Sequence, residues 1–131
     1  MCSRILFISG RPSDARVLMR MLHELPLALD HVPTLQQART SLHGQEYAVV
    51  LTEASLPDGR WLDVLHLVRE SSQDPEVIVT DPVADSHFWA EALNLGAYDL
   101  LAQPFYEPEV RRILYNACSR TVGQTYSVSA V

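Results

Sequence analysis

The sequence predicts an α/β domain in which a parallel sheet is covered by helices on both faces. Five short apolar runs, each typical of a buried strand, alternate along the chain with segments whose apolar residues recur at helical spacing. A helix after every strand favours right-handed crossover connections and therefore a doubly wound parallel sheet. The 131 residues are enough for one domain with a sizeable core.

The predicted strands are short and nearly all apolar, as expected of strands that are buried on both faces. The second strand is the weakest and suits an edge of the sheet. The predicted strands cover residues 5–8, 27–32, 47–52, 77–80 and 100–102.

The predicted helices are marked by apolar spacing and by residues that begin or end helices. Pro12 is a start signal for the first helix, and Thr34 is a good N-cap for the second. Gly96 stops the fourth helix. The small, polar residues 121–131 are interpreted as a flexible tail or linker stub that follows a domain of residues 1–120. The helices are predicted at residues 14–25, 35–42, 61–68, 84–95 and 107–119.

Composition and charge narrow the class of protein. Hydrophobic residues make up 47% of the chain and charged residues 20%, which are globular values. The apolar run at residues 5–8 is too short for a signal-peptide core or a spanning helix, so we expect a soluble, cytoplasmic protein with no membrane segment. The net charge of −6 argues against nucleic acid as a direct partner. Cys2 and Cys118 lie far apart, and the five histidines have no ligand spacing, so neither a disulfide nor a metal site is implied.

The candidate functional residues lie where the predicted strands end. In an open parallel sheet, ligands bind outside the carboxyl ends of the strands. An acid, Glu53, stands where the third strand meets the turn Pro57-Asp58-Gly59. The other positions at this edge are Ser9, Gly10, Arg11, Thr80, Asp81 and Gln103.

Three segments of the sequence resemble one protein family over residues 4–119. They are "RILFISG", "YAVVLTEASLPDGRWLDVLHLVRE" and "EALNLGAYDLLAQPF", and together they resemble the receiver domain of bacterial two-component response regulators. The resemblance implies the CheY-like, flavodoxin-like (βα)5 fold, with the five strands in the order 2-1-3-4-5. It implies a role in phosphorelay signal transduction, and it places Pro104 after a cis peptide bond.

The residues that bind magnesium and accept phosphate in that family are altered in this chain. Two acids after the first strand of the family help to hold magnesium, and the matching positions carry Ser9 and Gly10. The phosphate-accepting aspartate at the end of the third strand is replaced by Glu53. Magnesium prefers near-octahedral oxygen ligands, including one or two carboxylates. We therefore expect no cofactor, with magnesium binding lost or weak.

The remaining family positions are altered as well. The hydroxyl residue after the fourth strand corresponds to Asp81, with Thr80 one position earlier, and the lysine that pairs with the phosphate corresponds to Gln103. The aromatic switch residue of the fifth strand corresponds to Leu100. Without the metal and the lysine, little offsets the charge of an incoming phosphoryl group.

These replacements predict a degenerate receiver, or pseudo-receiver, which is not an enzyme and acts by protein–protein interaction. The extra methylene of Glu53 displaces its carboxylate by about 1 Å, and a displacement of that size can cost about a hundredfold in rate. The expected partner is a histidine kinase, an output domain or another signalling protein. The family also dimerises through the fourth helix, fifth strand and fifth helix, so a homodimer is a further expectation.

Two close carboxylates without a compensating cation repel each other. Glu53 and Asp81 are expected at neighbouring strand ends. Arg11 directly follows Gly10, and we predict that it fills part of the vacated metal site and pairs with Glu53.

Aromatic and apolar residues supply a candidate interaction surface. Phe88 is predicted to be an exposed anchor, while its neighbour Trp89 packs inward. Trp61 either covers the pocket, meets a partner or packs over the turn, and these alternatives stay open. Leu100 is the third candidate on this surface.

Two other functions are compatible with the sequence. One is a working receiver that catalyses its own phosphotransfer to a different acid, such as Asp58 or Asp81; for Asp58, a hydrogen bond within its own turn is the favoured role. The other is a nucleotide-binding domain of flavodoxin-like fold. It ranks last, because Gly10 alone represents a glycine-rich phosphate loop after the first strand.

Overall fold

A computed structural model describes residues 3–82 and 85–130, with side chains to residue 119. All five predicted strands and all five predicted helices are present. The elements are β1 Ser3–Ile8, α1 Pro12–Met21, β2 Leu27–Val32, α2 Leu35–Gly44, β3 Val49–Glu53, β4 Ser55–Leu56, β5 Gly59–Arg60, α3 Trp61–Glu70, β6 Glu76–Asp81, α4 Ser86–Leu95, β7 Asp99–Ala102 and α5 Glu107–Ala130.

The five longer strands form one parallel sheet in the order β2-β1-β3-β6-β7. This is the predicted order 2-1-3-4-5, because β6 and β7 are the fourth and fifth of those strands. The two short strands β4 and β5 form a separate antiparallel hairpin. The sequence indicated the turn at the tip of this hairpin but not its strands.

The sheet has a hydrophobic core on each face. On one face Leu6 and Val50 pack with residues of α2, α3 and α4. On the other face Phe7 and Leu51 pack with residues of α1 and α5. Because alternate side chains enter different cores, the strands are apolar throughout.

Two helix ends differ from the prediction by more than two residues. α1 ends at Met21 rather than at residue 25, since the chain turns through residues 22–25 before Pro26 and β2. α5 continues past the predicted end at residue 119 to Ala130, and no proline interrupts the chain there. The division into a domain over 1–120 and a tail over 121–131 stays a prediction.

The helices within the described ranges are all too short or too polar to cross a membrane. Cys118 is buried and forms no disulfide within the described residues. Cys2 lies outside the described residues.

Candidate functional site

The carboxyl ends of β1, β3 and β6 meet at a cleft of about 370 Å³. The structure thus brings together five of the predicted site residues. A larger cavity of about 520 Å³ lies near residues 42–47 and 72–74, before β3 and β6 begin, and so at the opposite edge of the sheet. The cleft is lined by Gly10, Arg11, Glu53, Ala54, Ser55, Pro57, Thr80, Asp81 and Pro82.

Glu53 joins two strand ends through a hydrogen bond. It is the last residue of β3 and is half-buried. Its Oε1 accepts a hydrogen bond from the backbone N–H of Gly10, with 3.0 Å between the two atoms. The carboxylate therefore holds the loop that follows β1 against the end of β3.

The predicted pairing of Arg11 with Glu53 is wrong. Arg11 is exposed, and within the described residues no ion pair links its guanidinium to Glu53. Two local features explain the difference. The backbone N–H of Arg11 donates to Ser9 Oγ at 3.0 Å, which fixes the loop, and the carboxylate of Glu53 already accepts from Gly10.

Ser9 is fully buried and has a structural role in the loop. Besides the bond from Arg11, its carbonyl oxygen accepts a hydrogen bond of 2.7 Å from His31 Nε2. The His31 ring lies 5.8 Å from the ring of Phe7. His31 is half-buried beside the site. The sequence held no signal for this contact, because it depends on the pairing of β1 with β2.

Thr80 and Gln103 form a neutral pair next to Glu53. Thr80 is the register partner of Glu53 in the sheet. Its buried hydroxyl donates to the carbonyl oxygen of Leu101 at 2.7 Å and accepts from Gln103 Nε2 at 3.0 Å. The peptide bond between Gln103 and Pro104 is cis, as the resemblance implied.

The hydroxyl next to Glu53 belongs to Thr80 rather than to the Asp81 position. Glu53 lies two residues after Leu51, and Thr80 lies two residues after Ile78. Residues two apart in a strand share a face, and Leu51 and Ile78 pack on the α1 and α5 face. Asp81 is the next residue along β6, so its side chain points to the other face of the sheet. Both residues nevertheless line the same cleft.

The residues at this edge do not fit a magnesium ion. Glu53 is the one carboxylate among the three metal positions, and the other two carry Ser9 and Gly10. Among the described residues, no group of three or more histidine, cysteine, aspartate or glutamate side chains could hold a metal ion. The single carboxylate at these positions is a poorer ligand set for a hard divalent cation than the three acids that the resemblance implies, and it already accepts a hydrogen bond from Gly10.

Asp58 lies outside the cleft and binds the beginning of α2. Its Oδ1 accepts from the N–H of Leu35 at 2.8 Å, and its Oδ2 accepts from the N–H of Gln36 at 3.0 Å. These bonds, the one from Leu35 above all, hold the pKa of the Asp58 carboxyl below its usual range. The bonds to α2 were not predicted; they add to a hydrogen bond from the backbone of Asp58 itself, within the turn, which also lowers the pKa of this carboxyl. The N-cap Thr34 accepts only from the N–H of Gln37, through its Oγ1. Asp58 thus satisfies the first two N–H groups of α2, and Thr34 satisfies the third.

The exposure of the two aromatic residues of α4, Phe88 and Trp89, is the reverse of the prediction. Phe88 is half-buried and meets Trp61 edge to face, with ring centroids 6.5 Å apart. Trp89 is 37% exposed. Phe88 lies one helical turn before the buried Ala92, so its side chain points toward the core. Trp61 and Leu100 are each only 2% exposed and belong to the core that packs with α2, α3 and α4, which removes both from any interaction surface.

No family model matches the sequence, but several curated proteins do. The probable transcriptional regulatory protein y4xI of Sinorhizobium fredii is 31% identical over 83 residues, which is 63% of this chain and 37% of that protein. The transcriptional regulatory protein DpiA of Escherichia coli is 30% identical over 70 residues, or 53% of this chain and 31% of that protein. The response regulator protein PilR of Pseudomonas aeruginosa is 23% identical over 87% of this chain and 26% of its own length. The chain thus spans about a third of the length of the curated relatives it matches.

Solved structures of receiver domains superimpose on nearly the whole chain. The signal receiver domain of a putative Luxo repressor protein from Vibrio parahaemolyticus has a TM-score of 0.89 at 18% identity, and the alignment covers 97% of this chain and 98% of that one. The receiver domain of sensor histidine kinase PA1611 from Pseudomonas aeruginosa, which has a magnesium ion coordinated in its active site cleft, has a TM-score of 0.78 at 25% identity over 91% and 99% of the two chains. The predicted fold class is confirmed.

Proposed function

We propose that this chain, a CheY-like receiver domain of the response-regulator type by fold and by sequence similarity, is a pseudo-receiver. It is not phosphorylated at the usual position and acts in signal transduction through protein–protein interaction. One observation carries the proposal: Glu53, at the acceptor position, bonds the backbone N–H of Gly10 at 3.0 Å, next to two positions that offer no metal-binding carboxylate.

The chemistry of phosphoryl transfer supports this proposal. The charge on the transferring group has to be stabilised by cations or well-placed donors. The lysine position holds Gln103, whose amide nitrogen donates to Thr80. Arg11 is exposed and is not paired with Glu53. We accordingly propose that the domain has no enzymatic activity and no cofactor, and that magnesium binding is lost or weak.

The partner in this proposal is a protein of the same signalling system: a histidine kinase, an output domain or another signalling protein. Because the chain spans about a third of its curated relatives, an output domain can lie in the same polypeptide. The net charge of −6 disfavours direct contact with nucleic acid. A cytoplasmic location and a homodimer through α4, β7 and α5 remain part of the proposal.

Phosphorylation at the altered site is tested by adding magnesium with either acetyl phosphate or beryllofluoride. We expect no saturable change in tryptophan fluorescence and no phosphate in the intact-protein mass. The matched control restores the family residues with Glu53→Asp, Ser9→Asp, Gly10→Asp and Gln103→Lys. A side chain at Gly10 has space, since an added Cβ would lie 3.9 Å from Pro57. This variant should gain the response.

A saturable response of the unaltered protein that disappears in Glu53→Gln would overturn the proposal. The alternative acceptor Asp58 has less support, because both of its oxygens accept backbone hydrogen bonds from α2. Phosphate found on Asp58 or Asp81 would instead identify the domain as a working receiver that is phosphorylated on a different acid.

A further inference from the structure

The cavity of about 520 Å³ lies at the edge of the sheet where β3 and β6 begin, opposite the Glu53 cleft. It is formed by the end of α2 with residues 45–47, and by residues 72–74, which follow α3. We call it the α2–α3 cavity. It is larger than the Glu53 cleft of about 370 Å³, and its volume lies in the range of sites for small ligands, roughly 300–1,000 Å³. No residue lines both cavities.

The side chain of Gln73 holds the wall of the α2–α3 cavity together. Its amide nitrogen donates to the carbonyl oxygens of Leu42 and Gln45, each at 2.7 Å. Its amide oxygen accepts from the N–H of Tyr47, also at 2.7 Å. The buried side chains of Leu42 and Tyr47 form the apolar part of the lining. The cavity is therefore preformed, since one side chain fixes the end of α2 against the residues that lead into β3.

The charge around the α2–α3 cavity is negative. Glu46 and Asp74 are exposed in its lining, and within the described residues neither carboxylate forms an ion pair or a hydrogen bond. The lining contains no lysine or arginine, and His43 is its one basic side chain. Arg39 lies beside a smaller neighbouring cavity, which it lines together with Glu70. The lining itself thus carries two carboxylates that a bound cation would neutralise.

Two helix ends add to this negative charge. α2 ends at Gly44 and α3 ends at Glu70, both at the edge of the sheet that holds the cavity. The C-terminal end of a helix carries partial negative charge, because its last carbonyl oxygens have no partner within the helix. Gln73 satisfies the carbonyl oxygen of Leu42. Those of His43 and Gly44 accept no hydrogen bond from the described part of the chain.

We infer that the α2–α3 cavity binds a small organic cation that carries a guanidinium group on a short apolar stem. A guanidinium donates to several carboxylate and carbonyl oxygens at once and is weakly hydrated, which suits a half-open cavity. The stem fits the apolar wall of Leu42 and Tyr47. The inference does not depend on the proposed function, because the two sites share no residue.

A protein partner fits the α2–α3 cavity less well than a small molecule. Protein interfaces are centred on large apolar or aromatic anchors. Among the described residues, the exposed large apolar side chains lie on α1, α4 and α5 and at Tyr106, and none of them lines this cavity. The rim consists instead of exposed small and polar residues, such as Gly44, Gln45 and Ser72.

The test is a titration of the ¹⁵N-labelled protein with butylguanidinium, followed by NMR at about pH 8, where a histidine is ordinarily neutral. We expect saturable shifts of the amides of residues 43–47 and 72–74, with a dissociation constant of about 1 mM. Butylurea has the same shape without the charge and should bind at least about tenfold more weakly. The affinity for butylguanidinium should fall about threefold as salt rises from about 20 to 500 mM.

Variants locate the binding site. Glu46→Gln and Asp74→Asn should each weaken binding by about two- to fivefold, the range of an exposed charge pair, and the double variant should weaken it further. Both residues are exposed, so these changes leave the fold intact. Glu91→Gln is the matched control, because Glu91 is an exposed acid on α4 outside the lining. It should bind as the unaltered protein does.

Three outcomes would overturn the inference. The first is no saturable shift with butylguanidinium, or a shift that Glu46→Gln and Asp74→Asn leave unchanged. The second is equal binding of butylurea. The third is binding of a pentapeptide with one arginine among glycines at least about tenfold more tightly than butylguanidinium, which would assign the cavity to a protein partner. None of these results bears on phosphorylation, since the acetyl phosphate experiment tests Glu53 at the opposite edge of the sheet.

Discussion

Tyr47 is the residue whose ionisation the fold changes most clearly. Its hydroxyl donates to Asp30 Oδ2 at 2.7 Å, and Asp30 Oδ1 forms an ion pair of 2.9 Å with Arg4. Burial of the phenol, followed by the bond to Asp30, raises the pKa of Tyr47 to about 12. The neutral phenol is therefore the form that stabilises the folded state.

The first prediction concerns alkaline pH. Below pH 10, the ordinary value of tyrosine, both folded and unfolded chains keep the Tyr47 proton and the stabilisation is complete. As the pH rises from 10 to about 12 only the unfolded chain releases the proton, so the free energy of unfolding falls. Tyr47→Phe should lose about 1–2 kcal/mol at neutral pH and lack this alkaline slope. Urea unfolding at pH 8 to 12 measures both effects, with the exposed Tyr115→Phe as the control.

Asp58 gives the second prediction, at acid pH. Its carboxyl pKa is lowered from 3.8, first by the Leu35 N–H. The stabilisation from the carboxylate is present above that ordinary value and is lost as the pH falls through the lower folded value. Asp58→Asn should remove this acid-side dependence in circular dichroism titrations. Neither the unaltered protein nor Asp58→Asn should incorporate phosphate from acetyl phosphate. Incorporation into the unaltered protein that Asp58→Asn abolishes would identify Asp58 as an acceptor.

At the scale of elements, the strands could be predicted because their residues pack alternately into two hydrophobic cores, which makes each strand a continuous apolar run. Leu6 and Phe7 face opposite cores, so both had to be apolar. The end of α1 could not be predicted, because Leu22 and Leu25 continue the helical spacing of apolar residues. In the structure they belong to the turn that connects α1 to β2. The hairpin β4–β5 has two residues per strand, too few for any periodicity.

The third prediction concerns the end of α4. Gly96 has a φ of 120°, and an added Cβ would lie 2.6 Å from the guanidinium of Arg69, which donates to the carbonyl oxygen of Leu95. Gly96→Ala should lower the free energy of unfolding by about 1–3 kcal/mol. Gly44→Ala is the matched control: an added Cβ would meet no atom within 4 Å apart from its chain neighbours and its own helix backbone, and Gly44 is the last residue of α2. It should be neutral or stabilising by up to about 1 kcal/mol.

The fourth prediction tests the orientation of α4. Phe88→Ala should destabilise the protein by about 2–4 kcal/mol, because it removes a ring that packs on Trp61 and the core. Trp89→Ala, at the adjacent and more exposed position, should change stability by no more than about 0.5 kcal/mol. Chemical unfolding of the two variants side by side measures this difference. Equal losses would contradict the packing described for the two rings.

At the scale of the whole molecule, the location of the site could be predicted and its bonds could not. Parallel strands end at one edge, so Glu53, Thr80 and Asp81 were expected together, and they line one cleft. The partners of Glu53 and Asp58 are backbone N–H groups of the β1–α1 loop and of α2. Every residue carries such a group, so sequence gives no sign of which one is used.

The bond between Glu53 and Gly10 has a consequence for how such a domain is regulated in a cell. On the pseudo-receiver proposal, the negative charge at this position is permanent and is engaged by the protein's own backbone. The domain then has a single signalling state, and the information it carries lies in its abundance. We expect synthesis and degradation to control its output, in place of a kinase and a phosphatase.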